Sequence, residues 1–503
     1  MGWFILSFWP VIPGYFAVCA LWPTRTRLMA HFGLKCALGT ILGLGGASLF
    51  YFATMALCGG LGREWLFALE LLCGGLIIPY GLPRFQFACR PAEEIPDAPS
   101  QLGVILKIIL FGGFFIGLGI QIYTAINLAQ SLPQGYWDAW AAWNLKAKCF
   151  FLDTEHWTDS VSNGTLVPGA DYPLLLPCLV ARGWTYLGNI SPLVPALLGY
   201  VYSFVSLALV FFGVRYLKSL SQAFIAGLFY LASPGVLHWG AAQYGDTPVG
   251  CYLLAMLVAL SLYDAQIERK ASLLLLAGVF GGLAVWTKHE GVLFVLAFGL
   301  ARLGVVWIAE GFKTFARQML FFMIGLLPSV SAMLILTVYA AQSGFFLQQK
   351  NTLANLLNFA RYKEVFWNFI NMLPRAHSNI FGSWTTNLLV VLLFYALLMG
   401  LKNRIPRAAQ ILWSLCATLL LIICGYGLIF VLTPMDLRGH LGTTSYRFLI
   451  QVYPSLFLAY FLMIATLEEG PLGVSGACLE DARNLPHTVS QHAHADASGG
   501  LTP

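Results

Sequence analysis

Carboxylates, bases and aromatic side chains gather in four short segments of an otherwise apolar chain. In the first, residues 134–151 (QGYWDAWAAWNLKAKCFF), Asp138 stands among Trp137, Trp140 and Trp143. Because these tryptophans recur every third residue, they are expected to line roughly one face of a short helix. An interfacial aromatic belt is an alternative interpretation of the tryptophans. A carboxylate among them needs a partner or a purpose, so Asp138 is the predicted general base.

Two further segments place a carboxylate beside turn-forming residues. Residues 168–177 (PGADYPLLLP) contain Asp171 and Tyr172, and residues 238–252 (HWGAAQYGDTPVGCY) contain Asp246. Each pattern is also what a simple turn or a capped helix start requires, so a structural role is the alternative for both.

The fourth segment, residues 286–294 (WTKHEGVLF), holds Lys288, His289 and Glu290 in a short turn between apolar runs. Three consecutive ionisable residues exceed what a turn requires, although a structural ion pair is the alternative. Carboxylate oxygens are hard ligands, so a divalent cation held by Asp138, Asp246 and Glu290 is a further prediction if the three converge. The sequence gives no certain cofactor.

The composition indicates the environment in which these segments lie. Of the 503 residues, 58% are hydrophobic and only 10% are charged, against about 25% charged residues in a typical soluble domain. The net charge of +6 comes with no dense basic run, which excludes a nucleic-acid-binding protein. The sequence therefore predicts a protein whose main partner is the lipid bilayer.

Hydropathy predicts an all-α polytopic membrane protein with about thirteen transmembrane helices and a helical exoplasmic loop region. The predicted spans lie near residues 3–22, 32–58, 65–82, 103–125, 190–213, 220–236, 247–264, 272–287, 291–309, 318–341, 385–401, 409–432 and 448–467. Glu70 falls inside the third span. An ionisable group is costly there, so Glu70 is expected to have a partner.

Basic residues set the predicted orientation, because short cytoplasmic loops are rich in Lys and Arg. One set of alternating loops carries Arg25, Arg27, Arg84, Arg90, Arg215, Lys218, Arg269, Lys270, Lys313, Arg317, Lys402, Arg404 and Arg407. The amino terminus is then outside, and residues 468–503 form a disordered cytoplasmic tail. Residues 126–189 and 342–384 face the exoplasm. Within the second of these loops, residues 348–384 have an amphipathic pattern and should lie flat on the surface, as a lid or a passive brace.

The order of these segments resembles the GT-C superfamily of polytopic glycosyltransferases, which includes protein mannosyltransferases and aminoarabinose transferases. The resemblance covers residues 103–467 and leaves residues 1–102 as an N-terminal three-span extension. It rests on the early acidic residue of YWDAW, the Tyr-Pro-Leu segment, the acidic outer turn, the TKHEG turn, and a closing Tyr446–Phe448 followed by Tyr453-Pro454. Protein mannosyltransferases commonly pair the early acidic residue with a second carboxylate, whereas this chain has Ala139.

The resemblance implies a sugar donor on a polyprenyl phosphate and a glycan, lipid or protein acceptor. Transfer would invert the anomeric configuration at the exoplasmic face, with Asp138 as the base; the expected location is a bacterial inner membrane, with the active site facing the periplasm. The residues expected to bind substrate are Trp137, Trp140, Asp171, Tyr172, Asp246, Lys288, His289, Glu290, Arg375, Arg438 and Arg447, of which the cations Lys288, Arg375, Arg438 and Arg447 would contact phosphate. A flippase or transporter of a lipid-linked substrate and a non-catalytic assembly subunit remain alternatives.

Overall fold

The chain is almost entirely helical wherever its structure is described. The computed structural model describes residues 2–3, 7–22, 31–82, 104–162, 165, 167–233, 235–265, 270–340, 352–376, 385–402, 405 and 407–469. Within these residues the sole bridge between extended positions joins Leu401 and Ile464. The predicted all-α class is confirmed. The predicted tail lies outside the described residues from residue 470 onward.

Nineteen α-helices follow one another along the described chain. In order they are α1 (Val11–Leu21), α2 (Phe32–Cys58), α3 (Arg63–Gly81), α4 (Val104–Ser131), α5 (Asn144–Leu152), α6 (Leu175–Leu187), α7 (Leu193–Leu217), α8 (Leu220–Leu231), α9 (Gly235–Ala241), α10 (Asp246–Ala265), α11 (Ala271–Thr287), α12 (Glu290–Arg302), α13 (Ile308–Glu310), α14 (Phe312–Tyr339), α15 (Thr352–Leu356), α16 (Phe359–Ala376), α17 (Thr385–Met399), α18 (Ala408–Leu432) and α19 (Leu437–Met463). Two π-helical turns, Ala139–Trp143 and Leu303–Trp307, and a 3-10 turn, Trp157–Ser160, complete the set.

Long apolar helices indicate an integral membrane protein. Among the described residues, nine helices are long and apolar enough to cross a membrane. Helices suit these sequences because each satisfies its backbone hydrogen bonds internally, as hydrocarbon requires. Each predicted span overlaps a helix, and four of these helices are shorter apolar ones of 10–17 residues. The count of thirteen spans stays a prediction.

Helix α10 lies at the centre of the helical bundle, with every one of its residues buried. It packs against α11, α19, α7, α18 and α12. Gly250 brings α10 and α19 together, since a Cβ atom at this position would lie 2.6 Å from the Gln451 carbonyl oxygen. This close approach places the polar residues of α19 beside the first turn of α10.

The N-terminal helices join the same core. In α2, Ser48 donates a hydrogen bond to the Leu175 carbonyl at 3.0 Å and accepts one from Trp286 Nε1 at 3.0 Å. In α3, the buried Glu70 carboxylate accepts hydrogen bonds from Arg182 Nε and Nη2, both at 2.6 Å, and from Tyr186 at 2.9 Å. The expectation that Glu70 has a partner is confirmed.

Helix α16, in the second predicted outer loop, is amphipathic and is held on the ends of α18 and α19. Arg361 donates hydrogen bonds to the carbonyl oxygens of Val431 at 2.7 Å and Thr433 at 2.8 Å. These acceptors lie at the end of α18, where carbonyl groups lack partners within the helix. The opposite face exposes large apolar side chains, including Phe366 and Trp367.

Candidate functional site

Asp246 anchors a cluster of charged side chains at the first turn of α10. Its side chain is 0% exposed. Its Oδ1 accepts hydrogen bonds from Lys288 Nζ at 2.9 Å and from Gln451 Nε2 at 2.5 Å. Its Oδ2 accepts from Arg447 Nε at 3.0 Å and Nη2 at 2.8 Å. Both oxygens are therefore committed, and the helix N-terminus adds further stabilisation of the negative charge.

The local sequence explains this convergence. Lys288 directly follows the last residue of α11 and is extended, with φ −152° and ψ 155°, which ends the helix. Arg447 and Gln451 lie four residues apart on α19, so they share one face of that helix. The end of α11 and one face of α19 thus bring three polar side chains to the same carboxylate, and Asp246 orients Arg447 and Lys288 without being accessible itself.

Arg447 links this buried anchor to a more accessible carboxylate, Asp138. Its Nη1 lies 2.8 Å from Asp138 Oδ2, and the exposed fractions of the two side chains are 15% and 27%. The guanidinium lies over the ring of Tyr244, 4.7 Å from its centroid. The Tyr244 hydroxyl also accepts a hydrogen bond from the backbone N–H of Asp138 at 3.3 Å. Asp138 is therefore held at both its backbone and its side chain.

A π-helical turn, Ala139–Trp143, follows Asp138 and divides the tryptophans. Trp137 and Trp140 are 56% and 52% exposed, whereas Trp143 is 4% exposed and packs on Tyr172 with 5.4 Å between ring centroids. The prediction that the three share one face is wrong. A π-turn contains more residues than an α-turn, so the side chains that follow are rotated to another face.

Asp171, Tyr172, His289 and Glu290 extend the cluster on the other side of Lys288. Lys288 Nζ lies 2.9 Å from Glu290 Oε1. His289 Nε2 lies 3.5 Å from Asp171 Oδ2, and the His289 ring lies 5.0 Å from the Tyr172 ring between centroids. The structure thus brings the residues of the second and fourth predicted segments together.

Burial and pairing shift the pKa values of groups outside the spans. Burial lowers the pKa of Lys146 to about 7, against a smaller opposing effect of Asp171. Lys146 donates a hydrogen bond to the carbonyl of Gly169, which supports the turn that carries Asp171. Burial alone would raise the pKa of Asp171, but His289 and Lys146 outweigh it and leave the pKa below its ordinary value. Burial would lower the pKa of Lys288, but nearby carboxylates raise it above its usual range.

Most of the predicted site residues meet in this cluster: Asp138, Asp171, Tyr172, Asp246, Lys288, His289, Glu290 and Arg447. Trp137 and Trp140 lie beside Asp138 in sequence and contact each other. Arg438 does not join the cluster. It is 85% exposed and pairs with Glu364 at 2.5 Å, which ties α16 to the start of α19. Arg375 belongs to α16, and its side chain lies outside what the structure describes.

The sequence analysis missed Gln451, Tyr244 and the burial of Lys146. A signal existed for Gln451, because it follows Arg447 by four residues and therefore had to share its helix face. Tyr244 precedes Asp246 by two residues, but nothing in its spacing indicated that it would meet Arg447. Their roles depend on contacts between distant segments, which a single sequence does not reveal.

The carboxylates do not form the predicted cation site. Among the described residues, no group of three or more His, Cys, Asp and Glu side chains could hold a metal ion. Arg447 bridges Asp138 and Asp246, and Lys288 bridges Asp246 and Glu290. Each of these three carboxylates is therefore paired with a basic side chain.

A second charged cluster lies at the opposite end of α10. Arg302 Nη1 donates to Asp264 Oδ2 at 2.7 Å and Nη2 donates to Oδ1 at 3.2 Å. Arg302 also bonds to Ser414 at 3.0 Å and to Gln318. Both ionised side chains are 0% exposed. This pair joins α10, α12, α14 and α18 without any access from outside.

No family model, curated protein or solved structure matches this chain.

Proposed function

We propose that the protein is an integral membrane glycosyltransferase that moves a sugar from a polyprenyl-phosphate donor to an acceptor at the exoplasmic face. One observation carries the proposal. One cluster at the ends of apolar helices contains an accessible carboxylate and two basic side chains: Asp138, Arg447 and Lys288. Transfer from a lipid phosphate needs a base for the acceptor and cations for the leaving group.

The residues divide between the two halves of the reaction. The acceptor hydroxyl oxygen attacks the anomeric carbon and gives its proton to Asp138. The bond between that carbon and the phosphate oxygen breaks, and the negative charge on the leaving polyprenyl phosphate is offset by Arg447 and Lys288. Attack opposite the leaving group inverts the anomeric configuration. Asp246 acts as a positioning residue, because its buried oxygens hold both basic groups.

The surrounding side chains are assigned to the sugar and the acceptor. The exposed faces of Trp137 and Trp140 suit stacking against sugar rings. Asp171, Tyr172, His289 and Glu290 supply polar contacts on the far side of Lys288. Arg438 is assigned to holding α16, since its partner is Glu364. The proposed protein has thirteen spans and an amino terminus on the outside. Its proposed location is a bacterial inner membrane.

The sealed end of α10 favours transfer over transport. A flippase would need charged groups accessible from both sides of the membrane. At the far end of α10, Asp264 and Arg302 are fully buried and paired with each other, so this pair is not available to a substrate on that side. A non-catalytic assembly subunit is the other alternative, and an activity measurement separates it from an enzyme.

The test is transfer of radiolabelled sugar from a panel of polyprenyl-phosphate sugars, in membranes containing equal amounts of each variant. Asp138→Asn should lower the transfer rate by about 10²- to 10⁴-fold, the usual contribution of a general base. Asp153→Asn is the matched control, because Asp153 belongs to the same predicted outer loop and is exposed. Its rate should stay within about twofold of wild type, as expected of surface substitutions.

Two results would count against the proposal. Full activity in Asp138→Asn would show that another group takes the proton. Consumption of no donor by the wild-type protein, at an expression level that detects a known transferase, would contradict a transferase.

A further inference from the structure

We infer that Asp138 occupies the position on Arg447 that the phosphate of a substrate takes when it binds, so that binding of the phosphate releases the base. This inference rests on the proposed function for the identity of the substrate. It concerns the exchange of partners at one nitrogen atom, Arg447 Nη1.

The contacts of Arg447 divide into a fixed set and an exchangeable one. Nε and Nη2 are bound to Asp246, which is fully buried, and the guanidinium packs over Tyr244. Nη1 faces Asp138, whose side chain is 27% exposed. Because Asp246 and Tyr244 fix the guanidinium independently, Arg447 stays in place when Asp138 leaves. Its outward nitrogen then presents donors to an anion.

The charge of the cluster favours replacement of Asp138 by a phosphate over simple addition of a phosphate. Lys288 and Arg447 supply two positive charges, whereas Asp138, Asp246 and Glu290 supply three negative ones. The closed cluster thus carries a net charge of −1 and opposes the approach of a phosphate. Of the three carboxylates, Asp246 is fully buried and Glu290 is 15% exposed. Asp138 is the most accessible and therefore the one that can move aside.

The backbone allows the side chain of Asp138 to move alone. Its N–H donates to the Tyr244 hydroxyl at 3.3 Å, and the π-helical turn Ala139–Trp143 begins at the next residue. A change of rotamer is enough to separate Oδ2 from Arg447. The carboxylate released in this way is free to accept the proton of the acceptor hydroxyl. The base is thereby available only when a donor phosphate is bound, which protects the site from acting without its substrate.

The experiment measures binding of a polyprenyl monophosphate, and separately of inorganic phosphate, to the purified full-length protein in lipid nanodiscs. Asp138→Asn should bind the polyprenyl monophosphate roughly tenfold more tightly than wild type, because the competing charge is gone. Arg447→Gln should bind it at least about tenfold more weakly. Asp153→Asn is the matched control, since it removes an exposed carboxylate of the same predicted outer loop that pairs with His156 and not with Arg447. Its affinity should change by less than about twofold.

Each outcome decides a separate point. Equal or weaker phosphate binding by Asp138→Asn would overturn the exchange. Equal tightening in Asp153→Asn would also overturn it, because it would indicate a general effect of net charge. Absence of binding by every variant would also overturn it. If only inorganic phosphate binds more tightly, the exchange stands and the lipid source is wrong. If Asp138→Asn binds the lipid phosphate more tightly but the wild-type protein transfers no sugar, the exchange is supported and the transferase is contradicted. If the wild-type protein transfers sugar but Asp138→Asn binds the lipid phosphate no more tightly, the transferase is supported and the exchange is contradicted.

Discussion

The two ends of α10 carry the same pair of residue types in opposite settings. At one end Asp246 is bound by Arg447, and at the other end Asp264 is bound by Arg302. The two aspartates are 18 residues apart, which is roughly 27 Å along a helix and close to the thickness of a hydrocarbon core. Both aspartates are fully buried, so the aspartates themselves do not distinguish the ends.

The difference lies in what each arginine does with its remaining donors. Arg302 turns them toward Ser414 and Gln318, which are also buried. Arg447 turns one toward Asp138, which is accessible from outside. A buried ion pair is therefore weak support for function, whereas one that continues to an accessible carboxylate is a candidate for chemistry. We therefore expect the pair at the sealed end to have a structural role and the pair at the open end to take part in the proposed transfer.

The largest expected effects come from replacing the aspartate at each end of α10. At the sealed end only stability should change, whereas at the open end the transfer rate should change as well. Asp264→Asn should lower the free energy of unfolding by about 3–5 kcal/mol, since it leaves the charge of Arg302 buried without a counter-ion. The sugar-transfer rate per folded molecule should stay near that of wild type. Asp246→Asn should cost less stability, since Arg447 keeps Asp138 and Lys288 keeps Glu290. It should nevertheless abolish transfer, because the two basic groups lose their shared anchor. Thermal unfolding in detergent and transfer assays on matched folded protein measure the two quantities.

A double replacement sharpens this contrast. Asp264→Leu combined with Arg302→Met removes both buried charges and should recover most of the stability that Asp264→Asn loses, as apolar replacements of buried ion pairs often do. The same treatment of Asp246 and Arg447 should not recover transfer. Recovery of transfer in the second double variant would contradict the functional assignment of the open end.

The next effect concerns the pH dependence of stability at the open end. Because burial lowers the pKa of Lys146 to about 7, the unfolded chain binds more protons than the folded one between pH 7 and the ordinary lysine pKa. Stability should then rise with pH in this range, by at most about 2 kcal/mol from pH 7 to pH 9. Lys146→Met should flatten this rise in a series of unfolding measurements.

Lys148 is the matched control for that series, because it lies on the same helix two residues away and is exposed. Lys148→Met should keep the pH-dependent rise of the wild-type protein. An unchanged slope in Lys146→Met would show that the buried amine keeps its ordinary protonation on folding.

The smallest expected effect is that of removing divalent cations. Since Arg447 and Lys288 already bridge Asp138, Asp246 and Glu290, treatment with EDTA should change the transfer rate by less than about twofold. Transfer assays with EDTA, and with magnesium or manganese restored, make the comparison. A loss restored by one metal would show that the open end rearranges around a cation.

The sequence predicted the helices well because hydropathy depends on composition over about 20 residues and not on distant contacts. It located the ionisable residues of the open end for the same reason, since charges are rare in this chain and stand out. The pair Asp264 and Arg302 was missed although both fall within predicted spans. Ionisable residues there were a signal that each should have a partner.

The geometry of the site could not be derived in the same way. The contacts of Arg447 with Asp246 and Asp138 depend on how α19 packs on α10. Gly250 permits the close approach of these two helices. The rotation of Trp143 away from Trp137 and Trp140 depends on a π-turn that the spacing does not encode. The pairing of Arg438 with Glu364 joins distant segments, so the sequence alone did not indicate it.

The complete burial of α10 has a consequence for how the protein is made. The groups that neutralise Asp246 from α19 lie 201 and 205 residues further along the chain. At a typical synthesis rate, roughly 10–40 seconds pass between the emergence of Asp246 and that of its last partner. Throughout this interval a central helix with a charged end stands in the membrane without its final neighbours. We therefore expect α10 to need protection until the last helix arrives. Every product truncated before α19 leaves Asp246 without two of its partners.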